Sequence, residues 1–300
     1  MIKLGLVGGV DIFHGVAFST LLNEKDEDAW KAAELWDPGL PPLENAAITA
    51  IWDPDHEVAT RRAKLISGVE STPERMEDII GTVDAVIVAD DLTQQHQKRV
   101  PTFLEAGIPT FCDKPLSRDP AEAKAIVDLA RQTGTRFMSS SALRFSRELE
   151  EAQGKLAEIG DIVTASAAGP SELIFYGVHP CELACTVLGP GAESVINVGN
   201  DAGINIVRVR WADGRQLVLH VGEGIGYVFE AVFYGAAGHC CIEVNDAGYF
   251  YQNMLRAFVN LVETGEEAVP PEDTLEIIRI LAAAEKSLEQ GSVELPVNPA

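Results

Sequence analysis

From Ile2 to Ser141, short apolar runs alternate with segments of helical periodicity, and no other feature of the chain narrows its fold as much. IKLGLVG (2–8), AAITAIWD (46–53), VDAVIVAD (83–90), IPTFCD (108–113) and RFMSSS (136–141) read as strands. Residues 12–23, 55–66, 73–80, 94–106 and 119–132 read as the helices between and after them. Pro73 suits a first helical turn behind a Thr72 cap, Asp119 and Pro120 open the last of these helices, and Gly107 stops the fourth. Strands that are apolar along their length bury both faces, so the pattern predicts an α/β architecture with a doubly wound parallel sheet.

After residue 145 the rhythm changes. A helix over 146–158 leads to DIVTASAAG, a helix over 179–188 follows, and then five strands at 193–199, 203–211, 215–223, 227–234 and 238–244. Asp213-Gly214 between two alternating runs signals a two-residue hairpin. Helices over 249–263 and 271–288 end the chain, free to pack back on the first domain. The expected organisation is a Rossmann dinucleotide domain over 1–142 and an α+β domain with a largely antiparallel open sheet over 143–300. An acidic segment, NEKDEDAWKAAELWDPGLPPLENA, separates the first helix from the second strand and reads as a surface insertion anchored by Trp30 and Trp36.

Lys and Arg total 23 against 46 Asp and Glu, a net charge of −23 that repels nucleic acid and anionic membranes. The apolar runs are far shorter than the ~20 residues of a membrane span, and the chain opens directly into a strand, so a cytoplasmic protein is expected. The five cysteines lie in apolar contexts and read as reduced thiols. His179, Cys181 and Cys185 have no second ligand pair with zinc-like spacing, so no metal is expected.

Ligands of a doubly wound sheet sit at the carboxyl ends of its strands. The first strand ends in GLVGGVDIFHG, where a GxGxxG fingerprint would let a pyrophosphate approach the helix N-terminus. Gly8 is in place and Gly9 compensates in part, but Val10 and Phe13 stand where the other glycines belong. Asp11 leaves two readings open: a dinucleotide held in a modified geometry, or a carboxylate satisfying the helix amides where a phosphate would. Asp53 ends the second strand, where an acid can bond both ribose hydroxyls of NAD and repel the extra phosphate of NADP; equally, it could cap the next helix. Lys114, at the next strand end but one, can hydrogen-bond a substrate oxygen and stabilise a developing alkoxide. His179 could relay a proton with Glu182 as its orienting carboxylate.

FCDKPLSRDPAEAKAIVDLARQTG resembles the EKP segment of the Gfo/Idh/MocA family of sugar and polyol oxidoreductases, with Asp113 where glutamate is usual. SSSALRFSRE and GVHPCELACTVLG are similar to the stretches that follow it there. Gly8, Asp53 and His96 also fall where members carry such groups. The resemblance implies nicotinamide-dependent hydride transfer at a sugar carbon. It implies Lys114 at the reacting hydroxyl, His179 as acid/base, and Pro115 shaping the turn, with a cis peptide allowed. Many members carry an aspartate four residues before the histidine; here Phe175 stands there, and Tyr176 and Glu172 are the candidate substitutes.

The expected protein is thus an oxidoreductase using NAD rather than NADP on a sugar-like substrate. Its site comprises Lys114, His179 and Tyr176, with Gly8, Gly9, Val10, Asp11, Asp53, His96, Asp113 and Pro115 around the cofactor. A homo-oligomer, dimer or tetramer, through the C-terminal sheet is expected. Two alternatives stand beside it: a non-redox lyase, epimerase or glycosidase with retained NAD or none, and an inactive sensor or partner protein of the same fold.

Overall fold

The computed structural model describes residues 1–91, 93–199 and 202–298. The chain divides into two compact units: residues 1–117, 124–139 and 251–271 form the first, and 118–123, 140–250 and 272–300 the second.

The first unit is built on a parallel sheet of five strands, β1 (Ile2–Val7), β2 (Ala46–Trp52), β3 (Ala85–Val88), β4 (Thr110–Cys112) and β5 (Phe137–Met138), in the order β2-β1-β3-β4-β5. Leu6, Val7, Ile51 and the whole of β3 and β4 are fully or almost fully buried. That is the signature of a sheet covered on both faces. The order reverses between β1 and β3, so the crevice where ligands of such sheets bind lies at the ends of these two strands.

Helices α1 (Phe13–Leu22), α3 (His56–Ala63), α4 (Thr93–Glu105) and α5 (Pro120–Thr133) fill the connections. Asp119 starts α5 as expected, its carboxylate accepting from the Ala121 amide at 2.8 Å ahead of Pro120. Gly107, at φ +74°, ends α4 while the amides of Gly107 and Ile108 bond back to Leu104 and Phe103. The acidic insertion contains α2 (Glu27–Ala32), with Trp30 buried and its indole N–H on the Trp36 carbonyl at 3.1 Å. The helix expected over 73–80 is a single 3-10 turn, Met76–Ile79. Just before it, Ser71 still bridges to Ala50 of β2.

The second unit holds a seven-stranded sheet of β6 (Ile162–Pro170), β7 (Ala192–Asn197), β8 (Asn205–Trp211), β9 (Gln216–Gly222), β10 (Glu230–Gly235), β11 (Gly238–Glu243) and β12 (Leu295–Pro296). The order is β11-β10-β6-β9-β8-β7-β12, antiparallel throughout except for β6 with β9. Burial alternates along β9, with Leu217, Leu219 and Val221 fully buried and the residues between them half-exposed, so one face carries the core. The β8–β9 hairpin has three loop residues rather than two: Trp211 and Arg215 close it, and Gly214 takes φ +91°. This is a type I turn followed by a left-handed residue, which Asp-Gly also suits.

Helices α6 (Arg147–Glu158) and α7 (Val178–Leu188) belong to this unit. Of the last two helices, α8 (Ala247–Thr264) passes into the first unit from Tyr251, while α9 (Pro271–Glu289) lies in the second from Glu272.

Candidate active site

In the first unit the predicted residues gather at the carboxyl ends of β1, β2 and β4. Gly8 and Gly9 have φ of +67° and +58°, a turn closed to most side chains. A Cβ on Gly9 would stand 2.3 Å from the Ala89 carbonyl, so the loop is pressed against the end of β3. The third glycine of the fingerprint is present, but at Gly15. A Cβ there would lie 2.2 Å from the Gly9 carbonyl oxygen and 2.7 Å from that of Val10. Its absence lets α1 sit down on the loop, the packing task of the last glycine in a dinucleotide fingerprint. The loop is two residues longer than the standard spacing, which is why sequence reasoning missed it; a glycine in the first turn of the helix was the available signal.

Asp11 does not cap α1. Its carboxylate turns to α3, where it pairs with Arg61 and, at 3.3 Å, with Arg62. Ile12 is the cap residue and offers no side-chain bond, so the first-turn amides of α1 are open to an incoming anion. Asp53 likewise does not cap α3, a role taken by Asp55. It accepts instead from the Val10 amide at 3.2 Å and the Asp55 amide at 3.0 Å.

Val10 and His96 are wholly buried. The His96 ring bonds the carbonyls of Leu116 (3.1 Å) and Asp90 (2.8 Å), tying together two loops at the strand ends. Both residues shape the crevice through backbone and packing and present no side chain to it. Beneath Gly8 lies a buried ion pair of Arg99 and Asp90, the guanidinium stacked 5.0 Å over Trp52. Burial pushes the Asp90 carboxyl above its usual pKa, and Arg99 offsets that only in part.

The Lys114–Pro115 peptide is cis and directly follows β4. Lys114 is 5% exposed. Burial holds its ammonium below the ordinary lysine pKa, against the opposing charges of Asp113 and Asp91. The Asp113 carboxylate accepts the Lys114 amide at 2.8 Å and also contacts Nδ1 of His14. The other ring nitrogen of His14 meets the Tyr251 hydroxyl at 2.8 Å. Trp36 from the acidic insertion closes this corner, its ring 5.3 Å from Phe13 and 6.2 Å from Tyr251.

In the second unit His179 stands in the first turn of α7, buried, with Nδ1 2.7 Å from the Ser141 hydroxyl. Glu182, its expected partner, lies one turn on in the same helix. That carboxylate accepts the Ser141 amide at 2.6 Å and the Arg144 guanidinium at 2.9 Å, so it positions Ser141, which in turn holds the imidazole. Burial raises the Glu182 pKa above the usual carboxylate range despite Arg144 and the Ser141 amide.

Rings of Tyr176 and Phe229 lie 5.9 and 5.1 Å from that of His179. Glu172 is committed elsewhere, bonding Arg118 and the amides of Ile174 and Phe175. Desolvation pushes its pKa up, but these partners together bring it below the usual value. Of the two candidate substitutes, Tyr176 packs its ring against that of the histidine. Among the described residues no cluster of His, Cys, Asp and Glu could hold a metal ion. No helix there is long and apolar enough to cross a membrane.

Residues 15–141 match the model of the Gfo/Idh/MocA oxidoreductases, a family described by its NAD-binding Rossmann fold. The match covers less than half of the chain and lies almost entirely within the unit that carries the parallel sheet. Inositol 2-dehydrogenase 4 of Saccharopolyspora erythraea is 32% identical over 177 residues, covering 58% of this chain and 48% of that protein. Inositol 2-dehydrogenase of Corynebacterium glutamicum is 34% identical over 119 residues, 39% of this chain and 34% of its own. The chain thus spans about half the length or less of these curated relatives.

Among solved structures, a probable dehydrogenase from Thermotoga maritima superposes with a TM-score of 0.80 at 18% identity over 99% of both chains. Myo-inositol dehydrogenase from Lactobacillus casei, in complex with NAD(H) and myo-inositol, superposes at 0.79 and 17% identity over 100% of this chain and 98% of its own. These likenesses establish the two-sheet fold. The residues at the β1–α1 turn fit a dinucleotide: two left-handed glycines, Gly15 under the loop, uncapped helix amides and an acid ending β2.

Proposed function

We propose that this chain is a dehydrogenase of sugar-like polyols that uses NAD in preference to NADP. The observation carrying the reading is the crevice at the ends of β1 and β2, where Gly8, Gly9 and Gly15 clear the approach to the open amides of α1 and Asp53 accepts the Val10 amide of the turn at 3.2 Å. The match of residues 15–141 to an NAD-binding family and the two inositol 2-dehydrogenase relatives support it.

NAD, when bound, supplies the hydride acceptor. Lys114, buried and with a depressed pKa, donates a hydrogen bond to the reacting hydroxyl and stabilises negative charge as it develops. His179, oriented through Nδ1 by Ser141, exchanges the proton through the same ring, with Tyr176 supporting it from the preceding loop. Asp113 and Pro115 fix the backbone that carries the lysine. The half-exposed outer face of the second sheet, with Val218 on β9 and Tyr234 on β10, is proposed as the contact of a homo-oligomer, dimer or tetramer.

The test is a fluorescence titration with NADH and NADPH, followed by NAD reduction with myo-inositol, scyllo-inositol and a panel of aldoses. Tighter binding of NADH and turnover of at least one cyclic polyol are expected. Failure of both dinucleotides to bind at ~1 mM, an affinity of only about −4 kcal/mol, would remove the proposal.

A further inference from the structure

Two carboxylates flank the Val10–Asp11 stretch of the loop. Asp53 accepts the Val10 amide from one side, while Asp11 leaves the loop on the other and meets Arg61 and Arg62 of α3. Arg61 is exposed, its side chain 57% accessible. Arg62 is buried at 1%, stacked 5.0 Å from the centre of Trp30, with one nitrogen 3.4 Å from the Val10 carbonyl. Among the described residues its Nε and Nη1 have no hydrogen-bond partner and Asp11 is its one carboxylate.

The four side chains sum to zero charge. Without Asp11 the corner carries two guanidinium groups against Asp53 alone. The dinucleotides differ only in a phosphate on the ribose hydroxyl that an acid at the end of β2 would bond. A guanidinium fork matches such a phosphate.

We propose that Asp11 is a cofactor-specificity residue: by engaging Arg61 and Arg62 it withholds both cations from a ribose phosphate, so that the site accepts NAD and refuses NADP. The inference rests on the reading of this crevice as a dinucleotide site and identifies the residue that discriminates within it. Asp53 contributes repulsion alone, whereas Asp11 also removes the attraction that would oppose it. A purely structural clasp between loop and α3 would predict something different: loosening it would weaken both dinucleotides together.

The experiment is direct titration of NADH and NADPH, by fluorescence at low salt, into the wild-type chain, Asp11→Asn, and Asp11→Asn/Arg61→Gln, with each unliganded variant checked by thermal unfolding. Asp11→Asn is expected to tighten NADPH about tenfold with NADH within roughly threefold of wild type, a gain of about 1.4 kcal/mol. Added salt shrinks the gain, and the second substitution cancels it. Should Asp11→Asn leave Arg62 too poorly paired to fold, Asp11→Asn/Arg62→Met removes the buried charge and puts the same question to Arg61.

An unchanged NADPH/NADH ratio in a chain that binds NADH overturns the inference and leaves the cofactor reading standing, as does a parallel loss of both. Binding of neither dinucleotide by wild type and variants alike overturns the cofactor reading and this inference with it.

Discussion

The carboxylate of Asp113 lies between the imidazole of His14 and the backbone amide of Lys114 and accepts from both. A helix that begins just after the Gly8–Gly9 turn is thereby fastened to the segment that carries the candidate catalytic lysine. Since Asp113 is 1% exposed, an oxygen deprived of its partner would stay dry. His14→Ala is expected to cost about 1–3 kcal/mol, the penalty of an unsatisfied buried group, read from the urea midpoint. Tyr251→Phe, which removes only the far hydrogen bond, should cost less than half of that.

Lys114 separates chemistry from stability. Its folded pKa lies below its unfolded one, so between the two values the folded chain binds fewer protons than the unfolded chain. Stability therefore rises with pH across that window and carries the full penalty of the buried ammonium below it. Lys114→Met should lower turnover on the order of 10²–10³-fold, the usual loss for a group that stabilises developing negative charge. Yet at neutral pH it should unfold at the same or higher denaturant concentration than wild type, and that advantage should shrink as pH approaches ~10.4. A large fall in the midpoint at neutral pH would refute the account of its burial.

For His179 the handle is Ser141. Ser141→Ala removes the Nδ1 partner while leaving the Glu182–Arg144 pair and the Ser141 amide bond in place. The expected loss is roughly fivefold in kcat, corresponding to a hydrogen bond of about 1 kcal/mol, with little change in KM. The limb of the pH–rate profile that reports the imidazole should move as well. Ser141→Thr, which keeps the hydroxyl, should restore much of the rate; equal loss in both variants would mark Ser141 as a packing residue only.

The elements of the first unit were legible in sequence because strand and helix periodicities are local properties. β1 to β4 and α1, α4 and α5 lie within a few residues of where those periods put them. The position of Lys114 at the end of β4 followed from the same reasoning. What sequence could not supply were pairings made at long range. His14 with Asp113 and Ser141 with His179 lie 99 and 38 positions apart, and nothing local distinguishes Ser141 from Ser139 or Ser140. Glu182 was paired with His179 by helical spacing, whereas its bonds to Arg144 and the Ser141 amide reach 38 and 41 positions along the chain. Asp11 left a helix cap open as one of two readings because the two arginines that turn it away stand 50 positions or more along the chain.

Gly15 offers the sharpest test of how the turn is built. The position is helical and buried, so on intrinsic propensity Gly15→Ala would be favourable by up to ~1 kcal/mol. The structure requires the opposite sign. The new methyl would stand 2.2 Å from the Gly9 carbonyl oxygen and 2.7 Å from that of Val10, and both are backbone atoms of a loop already pressed against Ala89. Either α1 lifts off the turn or the turn moves, and overpacking of that kind costs about 1–3 kcal/mol. The displaced amides of α1 would also no longer face a pyrophosphate, so NADH affinity should fall at least about tenfold, or 1.4 kcal/mol. Gly154→Ala, in α6 with open space around the added carbon, is the matched control and should be neutral or stabilising. Equal behaviour of the two variants in unfolding and in NADH titration would mean that Gly15 has no part in the dinucleotide turn.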